Sequence, residues 1–305
     1  MTILSSPMSI YSPAPRQILQ DPWLTAKGLE IQVVRDDLCH PLVNGNKWHK
    51  LKYNLRYAQE QRFQGILSFG GAFSNHLYAT AMACRLHRLR CHLMVRTDQI
   101  DKHNPTLKVA QACGATLQAV DRQSYRLRHD PDYLAALQAS HPDLHIVPEG
   151  GSNTLALLGV AEFAQTLPPA DYISCPVGSG GTLAGLLQGV ATDTHILGIA
   201  VLKGAAALKE QVMALNPEAA KQANWTIFEE FHGGGYAKFS PELWQFCQQF
   251  RARFAIPLEP VYSGKHFYAL WQLVERDYFP RGSQIVMIHT GGLQGLMGLK
   301  YRDLI

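Results

Sequence analysis

Apolar positions along this chain follow two alternating rhythms. Short apolar runs closed by turn residues predict strands at residues 30–34, 65–69, 91–95, 115–120 and 144–147. Between them the spacing becomes helical. A helix after Lys47 puts Leu51, Leu55 and Ala58 on one face, others run from about 75 to 87 and up to 113, and a more polar helical stretch covers 125–140. Turn residues then interrupt the pattern at Pro148-Glu149-Gly150-Gly151-Ser152-Asn153, which marks a lobe boundary. Beyond it the rhythm resumes with a strand at 172–177, a helix to about 191, a strand at 195–201, helices near 241–253 and 265–278, and a strand at 284–288. Strands that alternate with helices at these lengths build parallel sheets.

Size and charge narrow the class. A chain of 305 residues, 47% hydrophobic and 17% charged, holds one large or two medium α/β domains, and two lobes with a cleft between them is the expected form. The net charge of +4 is small and dispersed, with no basic stripe for nucleic acid. No apolar stretch reaches about 18 residues, and no charged segment precedes an apolar run at the start, so no membrane partner and a cytoplasmic location are expected. Six cysteines without a CxxC pair are read as reduced core thiols rather than metal ligands.

Candidate chemistry gathers at the turns. Gly45-Asn46-Lys47 places a lysine where a turn becomes a helix, after the apolar or small Pro41, Leu42 and Val43 and before His49 and Lys50. Desolvation and neighbouring positive charge there would disfavour the ammonium and leave an amine able to attack a carbonyl. Gly178-Ser179-Gly180-Gly181-Thr182 lies between an apolar strand and a helix, where free backbone N–H groups and two hydroxyls suit a phosphate. Leu183 breaks a GxGxxG pattern and the P-loop lysine is missing, so a monophosphate fits better than a dinucleotide or ATP.

Three further turns add polar groups. Gly70-Gly71-Ala72-Phe73-Ser74-Asn75-His76 offers a hydroxyl, an amide and an imidazole in succession, a possible clasp for a carboxylate, with Ser74 also a good helix N-cap. Glu259-Pro260-Val261-Tyr262-Ser263-Gly264-Lys265 sets a phenol and a hydroxyl before a helix, and His289-Thr290-Gly291-Gly292 ends a buried strand. A nucleophile elbow with glycines two residues either side of a serine is absent, as is an HExxH zinc helix.

Taken in order, Asn44-Gly45-Asn46-Lys47, Gly70-Gly71 with Ser74-Asn75-His76, the Gly178 to Thr182 loop, Gly235-Tyr236, Pro260 to Lys265 and His289 to Gly292 carry a resemblance. The set resembles the 1-aminocyclopropane-1-carboxylate (ACC) deaminase and D-cysteine desulfhydrase family, over nearly the whole chain from about residue 30. The resemblance implies a tryptophan-synthase-β type of fold: two open, mostly parallel α/β lobes with pyridoxal 5'-phosphate (PLP) in the cleft. Residues 1–50 and 151–305 would then form the large lobe and 51–150 the small one. It also implies a homodimer and a small amino-acid substrate.

Residue by residue, Lys47 resembles the lysine that carries the cofactor as a Schiff base and shuttles protons once substrate displaces it. Gly178, Ser179, Gly180, Gly181 and Thr182 resemble the phosphate cup. Asn75 matches the residue beside the pyridoxal hydroxyl, Ser74 the serine near the substrate carboxylate, with His76 next to them. Tyr262 resembles the tyrosine beside the ring, and Tyr236 a second active-site tyrosine. Ser263 and Thr290 complete the cofactor set, and no metal is implied.

One departure bears on the reaction. In ACC deaminases a glutamate that keeps the pyridine nitrogen protonated follows the ring tyrosine, whereas this chain has Ser263, and a hydroxyl holds that proton less well. Opening a cyclopropane that lacks an α-hydrogen needs a strong electron sink, while expelling a β-substituent after α-proton removal proceeds with a weaker one. The expectation is therefore β-elimination from a small amino acid such as D-cysteine or a β-chloro analogue, giving pyruvate, ammonia and a thiol. ACC deamination is the close alternative. A non-catalytic PLP- or amino-acid-binding protein is disfavoured by the retention of Tyr262 and Ser74. His49, where many relatives have arginine, is expected to be tolerated, with a possible effect on the charge at Lys47.

Overall fold

The computed structural model describes residues 11–204 and 207–305. In chain order the elements are β1 (Arg16–Ile18), α1 (Pro22–Lys27), β2 (Glu30–Val34), α2 (Asn46–Glu60), β3 (Gly65–Gly71), α3 (Asn75–Leu86), β4 (Arg90–Arg96), α4 (Pro105–Ala112), β5 (Thr116–Val120), α5 (Arg122–Tyr125), α6 (Pro131–Ser140) and β6 (Leu144–Val147). There follow α7 (Thr154–Ala164), β7 (Tyr172–Val177), α8 (Gly181–Gly189), β8 (His195–Ala200), α9 (Leu208–Leu215), β9 (Trp225–Phe228), α10 (Pro241–Phe254), α11 (Ser263–Glu275), β10 (Gln284–Ile288) and α12 (Gly295–Tyr301).

Two sheets form. The larger runs β1-β2-β10-β7-β8-β9 and the smaller β5-β4-β3-β6. Every neighbouring pair is parallel except β1 with β2 at the edge of the larger sheet. Parallel strands all end on one side, so the turns after β3, β4, β6, β7 and β10 open into the same cleft. That is where open α/β sheets hold ligands.

The central strands are continuously apolar because helices cover both faces: Ile31, Val33, Ile199, Ile285 and Met287 pack with α10 and α11 residues such as Phe250 and Phe267, while Val177, Ile196 and Ile288 pack with Leu157, Leu183 and Leu186 of α7 and α8. In the small lobe Leu51, Leu55 and Ala58 of α2 meet Ile66, Leu77 and Leu93. These are the apolar positions expected on one face of that helix.

Several elements escape the sequence pattern. The edge strands β1 and β9 have three and four residues, too short to show a period. Helix α7, TLALLGVAEFA, is apolar nearly all round because it is sandwiched between α2 and α8, so it lacks the amphipathic stripe by which a surface helix is recognised. The stretch 125–140 is not one helix; a short 3-10 turn at Arg126–His129 precedes Pro131, which starts α6 afresh. A lobe division at residue 50 falls inside α2, which runs unbroken from Asn46 to Glu60 and packs its Trp48 into the small-lobe core. Among the described residues no helix is long and apolar enough to cross a membrane, and all six cysteines are free thiols.

Helix α7 reaches α2 at backbone distance. A Cβ on Gly159 would lie 2.0 Å from the His49 carbonyl oxygen, so only glycine permits this approach. Gly159→Ala is expected to force the two helices apart and to lower unfolding stability by about 1–3 kcal/mol. Urea unfolding of the two proteins checks this through a fall in midpoint at unchanged slope.

Candidate active site

The first turn of α2 is set by glycine geometry. Gly45 takes φ +66°, and a Cβ there would sit 2.0 Å from the Thr290 carbonyl oxygen. Gly45 N–H donates to Asp36 O (2.8 Å) and Asn46 N–H to Thr290 O (3.3 Å). The start of α2 is thereby pinned to the turn that follows β10. The Asp36 carboxylate also takes His49 Nε2 at 2.9 Å, with both side chains buried. His49 is thus turned toward Asp36 and stacked on Phe163 at 4.3 Å between centroids. The expected crowding of the Lys47 amine by His49 is not what the structure has; the cation that shares its face of the helix is Lys50, three residues on.

Lys47 Nζ donates to its neighbour's Asn46 Oδ1 (2.9 Å), and Asn46 Nδ2 donates to Thr182 Oγ1 (2.9 Å). Burial pulls the Lys47 amine down to about 8, against a partial upward pull from the Glu259 carboxylate. Lys50 is 2% exposed, and its Nζ donates to Gly150 O (2.6 Å), Ser152 Oγ (2.8 Å) and Ser179 Oγ (3.3 Å). Burial, and then the charge of Lys47, push its pKa far below that of a free lysine. A buried ammonium that meets only neutral acceptors lacks an anion.

The anion's place is visible around it. Ser152 and Ser179 hydroxyls are 2.7 Å apart, next to the N-terminus of α8, whose N-cap Gly180 has φ +76°. A Cβ on Gly181 would come within 2.5 Å of Ser152 Oγ and 2.9 Å of Lys50 Cε, and one on Gly150 within 2.6 Å of Ser179 Oγ. The glycines let two turns from opposite lobes close on one spot. Gly178, Ser179, Gly180 and Thr182 line the cavity together with Lys47 and Lys50, while Gly181 lies behind them as the first residue of α8. The donor set of an ammonium, hydroxyls and a helix N-terminus fits the phosphate of PLP.

The cavity holds about 720 Å³. On its small-lobe wall Ser74 caps α3, its Oγ accepting from His76 N–H (3.2 Å) and Leu77 N–H (3.4 Å), which leaves the hydroxyl proton free for a ligand. Asn75 lines the wall against Gly292, where a Cβ would meet its Nδ2 at 2.6 Å. His76 borders the cavity but is only 2% exposed, with Nε2 held 2.7 Å from Ser68 Oγ. Since Ser68 donates to Val147 O, the ring proton is on Nε2, and Nδ1 is a buried acceptor without a partner among the described residues. Burial first, then Lys47 and Lys50, hold this imidazole neutral.

On the large-lobe wall Tyr262 and Thr290 line the cavity, and Tyr236 stands at edge-to-face distance from Tyr262, 6.4 Å between centroids. Tyr236 is 41% exposed, and its hydroxyl reaches across the cleft to donate to Phe73 O (3.1 Å). Partial burial raises its pKa to about 12, and burial likewise keeps Tyr262 protonated. Ser263 departs from expectation. It is fully buried outside the cavity lining, and its Oγ accepts from Glu259 N–H (3.0 Å). The helix geometry of α11 turns the residue after Tyr262 away from the side that Tyr262 faces, so of this pair of hydroxyl residues, Ser263 and Thr290, only Thr290 borders the site.

Four residues that the sequence reading named without assigning them to cofactor or substrate also shape the site. Glu259, 1% exposed, accepts from Val261 N–H (2.8 Å), Tyr262 N–H (2.9 Å) and Ser263 N–H (2.7 Å), which fixes the turn that presents Tyr262. Burial raises its pKa to about 7 against those bonds. Lys265 Nζ donates to Val201 O (3.0 Å) and Gly235 O (2.7 Å) and so anchors the loop of Tyr236. Lys50 was legible as a lysine three residues after Lys47 on one helix, and Ser152 as a hydroxyl in a glycine turn. His289 is structural, with Nε2 bonded to Pro257 O (2.8 Å) and Nδ1 accepting from Gly291 N–H (3.2 Å).

Comparison with known proteins shows the family. Residues 17–291 match a family model described as pyridoxal-phosphate dependent enzyme. A Pyrococcus horikoshii protein provisionally named 1-aminocyclopropane-1-carboxylate deaminase is 30% identical, covering 88% of this chain and 86% of its own. The mitochondrial bifunctional D-cysteine desulfhydrase/1-aminocyclopropane-1-carboxylate deaminase of Arabidopsis thaliana is 29% identical, covering 88% of this chain and 74% of its own. A crystal structure of an ACC deaminase homologue superposes with a TM-score of 0.82 at 27% identity, over 97% of this chain and 95% of that one. The chain belongs to the pyridoxal-phosphate-dependent enzymes, among the homologues of ACC deaminase and D-cysteine desulfhydrase, and pyridoxal 5'-phosphate is its cofactor.

Proposed function

We propose that this enzyme catalyses β-elimination from a small amino acid of the D-cysteine kind, releasing pyruvate, ammonia and the β-substituent. The observation that carries the reading is the absence, among the described residues, of a carboxylate on the large-lobe wall of the cavity: Tyr262 and Thr290 offer hydroxyls, while Glu259 is spent on three backbone N–H groups. The sole carboxylate of the lining is Glu149 on the small lobe, paired with Arg128. Hydroxyls hold a pyridinium proton poorly, and that suffices for elimination but not for opening a cyclopropane. A homodimer accompanies this reading through the family resemblance.

When bound, PLP supplies the electron sink that makes an α-proton removable. Lys47 is the attachment point and, with its amine near neutrality, the base for that proton. Lys50, Ser152, Ser179, Thr182 and the α8 N-terminus hold the phosphate. Ser74 and the N-terminus of the 12-residue α3 take the substrate carboxylate. Asn75 and His76 border that clasp. Tyr262 stays protonated and can donate toward a departing group, while the Tyr236 hydroxyl proton is given to Phe73 O and ties the two walls of the cleft together.

Pyruvate is expected from D-cysteine or β-chloro-D-alanine, and none once Lys47→Ala removes the base, a loss on the order of 10³-fold or more. Coupled assay of pyruvate, with 2-oxobutanoate from ACC measured in parallel, checks this; 2-oxobutanoate without pyruvate would make the enzyme an ACC deaminase.

Two further outcomes follow from the lysines. The apoenzyme should take up PLP faster as pH rises through about 8, because the attacking form of Lys47 is the free amine and its pKa lies there rather than at 10.5. Stopped-flow absorbance of cofactor binding between pH 6 and pH 10 reads this. Lys50→Met should weaken PLP binding by about 2–5 kcal/mol through loss of the buried phosphate partner. Equilibrium titration by tryptophan quenching measures it.

A further inference from the structure

Ser74, the α3 N-terminus, Lys50 and the α8 N-terminus account for one carboxylate and one phosphate, yet more positive charge lines the same cavity. Arg96, Arg128 and Lys203 border it against the single carboxylate of Glu149, an excess of two. Arg96 ends β4 beside the last residue of β3, in register with Gly71, and its Nη2 lies 3.6 Å from where a Gly71 Cβ would be. The guanidinium therefore hangs over the turn that leads into Ser74. Among the described residues Arg96 makes no hydrogen bond and no ion pair; it only flanks the Tyr125 ring, 5.5 Å from its centroid. Arg96 also borders an adjoining cavity of about 270 Å³ with Gly71, Phe73, Arg122 and Tyr236, where Asp98 is the acid present.

Arg128 also lies over the Tyr125 ring, at 4.8 Å. A closed set of bonds holds this pair in place: Tyr125 OH donates to Glu149 Oε1 (2.9 Å), Arg128 Nε to Glu149 Oε2 (2.6 Å) and Arg128 Nη1 to Tyr125 O (3.1 Å). Nη2 of Arg128 is left without a partner among the described residues. Two oriented guanidiniums with free N–H groups, on the wall that carries the carboxylate clasp, are arranged for a second anion on the same ligand.

We propose that the substrates of this site are α-amino acids whose β-substituent is itself anionic, a phosphate or sulfate ester, and that Arg96 and Arg128 read that second negative charge. This rests on the β-elimination reading and narrows its substrate. The α-proton passes to Lys47, the Cβ–O bond breaks with its electron pair leaving on the ester anion, and water replaces the amino nitrogen. O-Phosphoserine and water thus become pyruvate, ammonia and phosphate, with no oxidant or reductant needed.

The test uses the PLP-loaded enzyme with both enantiomers of O-phosphoserine, serine O-sulfate, β-chloroalanine and cysteine, followed by pyruvate. The anionic esters of one hand should exceed β-chloroalanine in kcat/KM by at least about tenfold, the worth of one charge-assisted hydrogen bond. Arg96→Gln should raise their KM by a similar factor and leave β-chloroalanine within about twofold. Binding gives a readout free of turnover: 2-amino-3-phosphonopropanoate, whose C–P bond is not broken by elimination, should bind at least about tenfold tighter than alanine by calorimetry, and that ratio should collapse in Arg96→Gln. The phosphonate binding no tighter than alanine overturns the proposal, as does a loss in Arg96→Gln that is equal for charged and uncharged substrates, which would assign Arg96 to the α-carboxylate. If no substrate yields pyruvate, the elimination reading fails separately, and the phosphonate-to-alanine ratio still decides whether the second anion is recognised.

Discussion

The first two turns of α2 lie against the large lobe at backbone contact distance, and three glycines make that possible. Gly45 abuts the Thr290 carbonyl, Gly159 abuts the His49 carbonyl, and Gly181 abuts Lys50 and Ser152. A side chain at Gly45 or Gly159 would force backbone apart, and one at Gly181 would displace the Ser152 and Lys50 side chains. Because the approach is so close, the amines of Lys47 and Lys50 end up in the interior, where charge is expensive and a phosphate becomes the natural counter-ion. On the proposed reading, the cofactor's anchoring charge and its reactive amine come from one helical turn, presented by the small-lobe core to the large-lobe loop at Gly178 to Thr182.

Burial then sorts the titratable groups by function. It lowers the amine of Lys47 toward neutrality, holds His76 uncharged, and keeps the phenols of Tyr236 and Tyr262 protonated. Glu259 is raised by the same burial, yet three backbone N–H groups claim its oxygens, so it shapes the Tyr262 turn instead of facing the ligand. One physical cause therefore leaves an amine near neutrality and two protonated phenols around the same cavity, with no carboxylate among the described residues on the wall beside Tyr262.

Much of this was legible before any coordinates. Short apolar runs alternating with segments of helical period pointed to the parallel α/β architecture, and strand-to-helix turns rich in glycine and hydroxyls marked Ser74, Asn75, Ser179, Thr182 and Thr290, all of which border the cavity. Ser263 was misleading because adjacency in sequence says nothing about facing: at the start of α11, consecutive residues diverge by about 100° around the axis, and Tyr262 takes the cavity side. Lys50 was read only as a charge beside Lys47, and Ser152 only as part of a turn, because their partnership spans about a hundred residues. Glu149, noted only as part of a turn, proved to organise Tyr125 and Arg128 on the ligand side.

Sequence by itself determined which backbone could form: where strands and helices alternate, where glycine must stand, and which turn carries a lysine poised at a helix start. These are local properties, fixed by residue shape and by the spacing of apolar groups. Tertiary structure decided which of the polar residues meet, how deeply each charge is buried and which carboxylate is already satisfied. Those depend on contacts between distant segments and on the exclusion of water from the cleft, and neither is written in any one stretch of the chain.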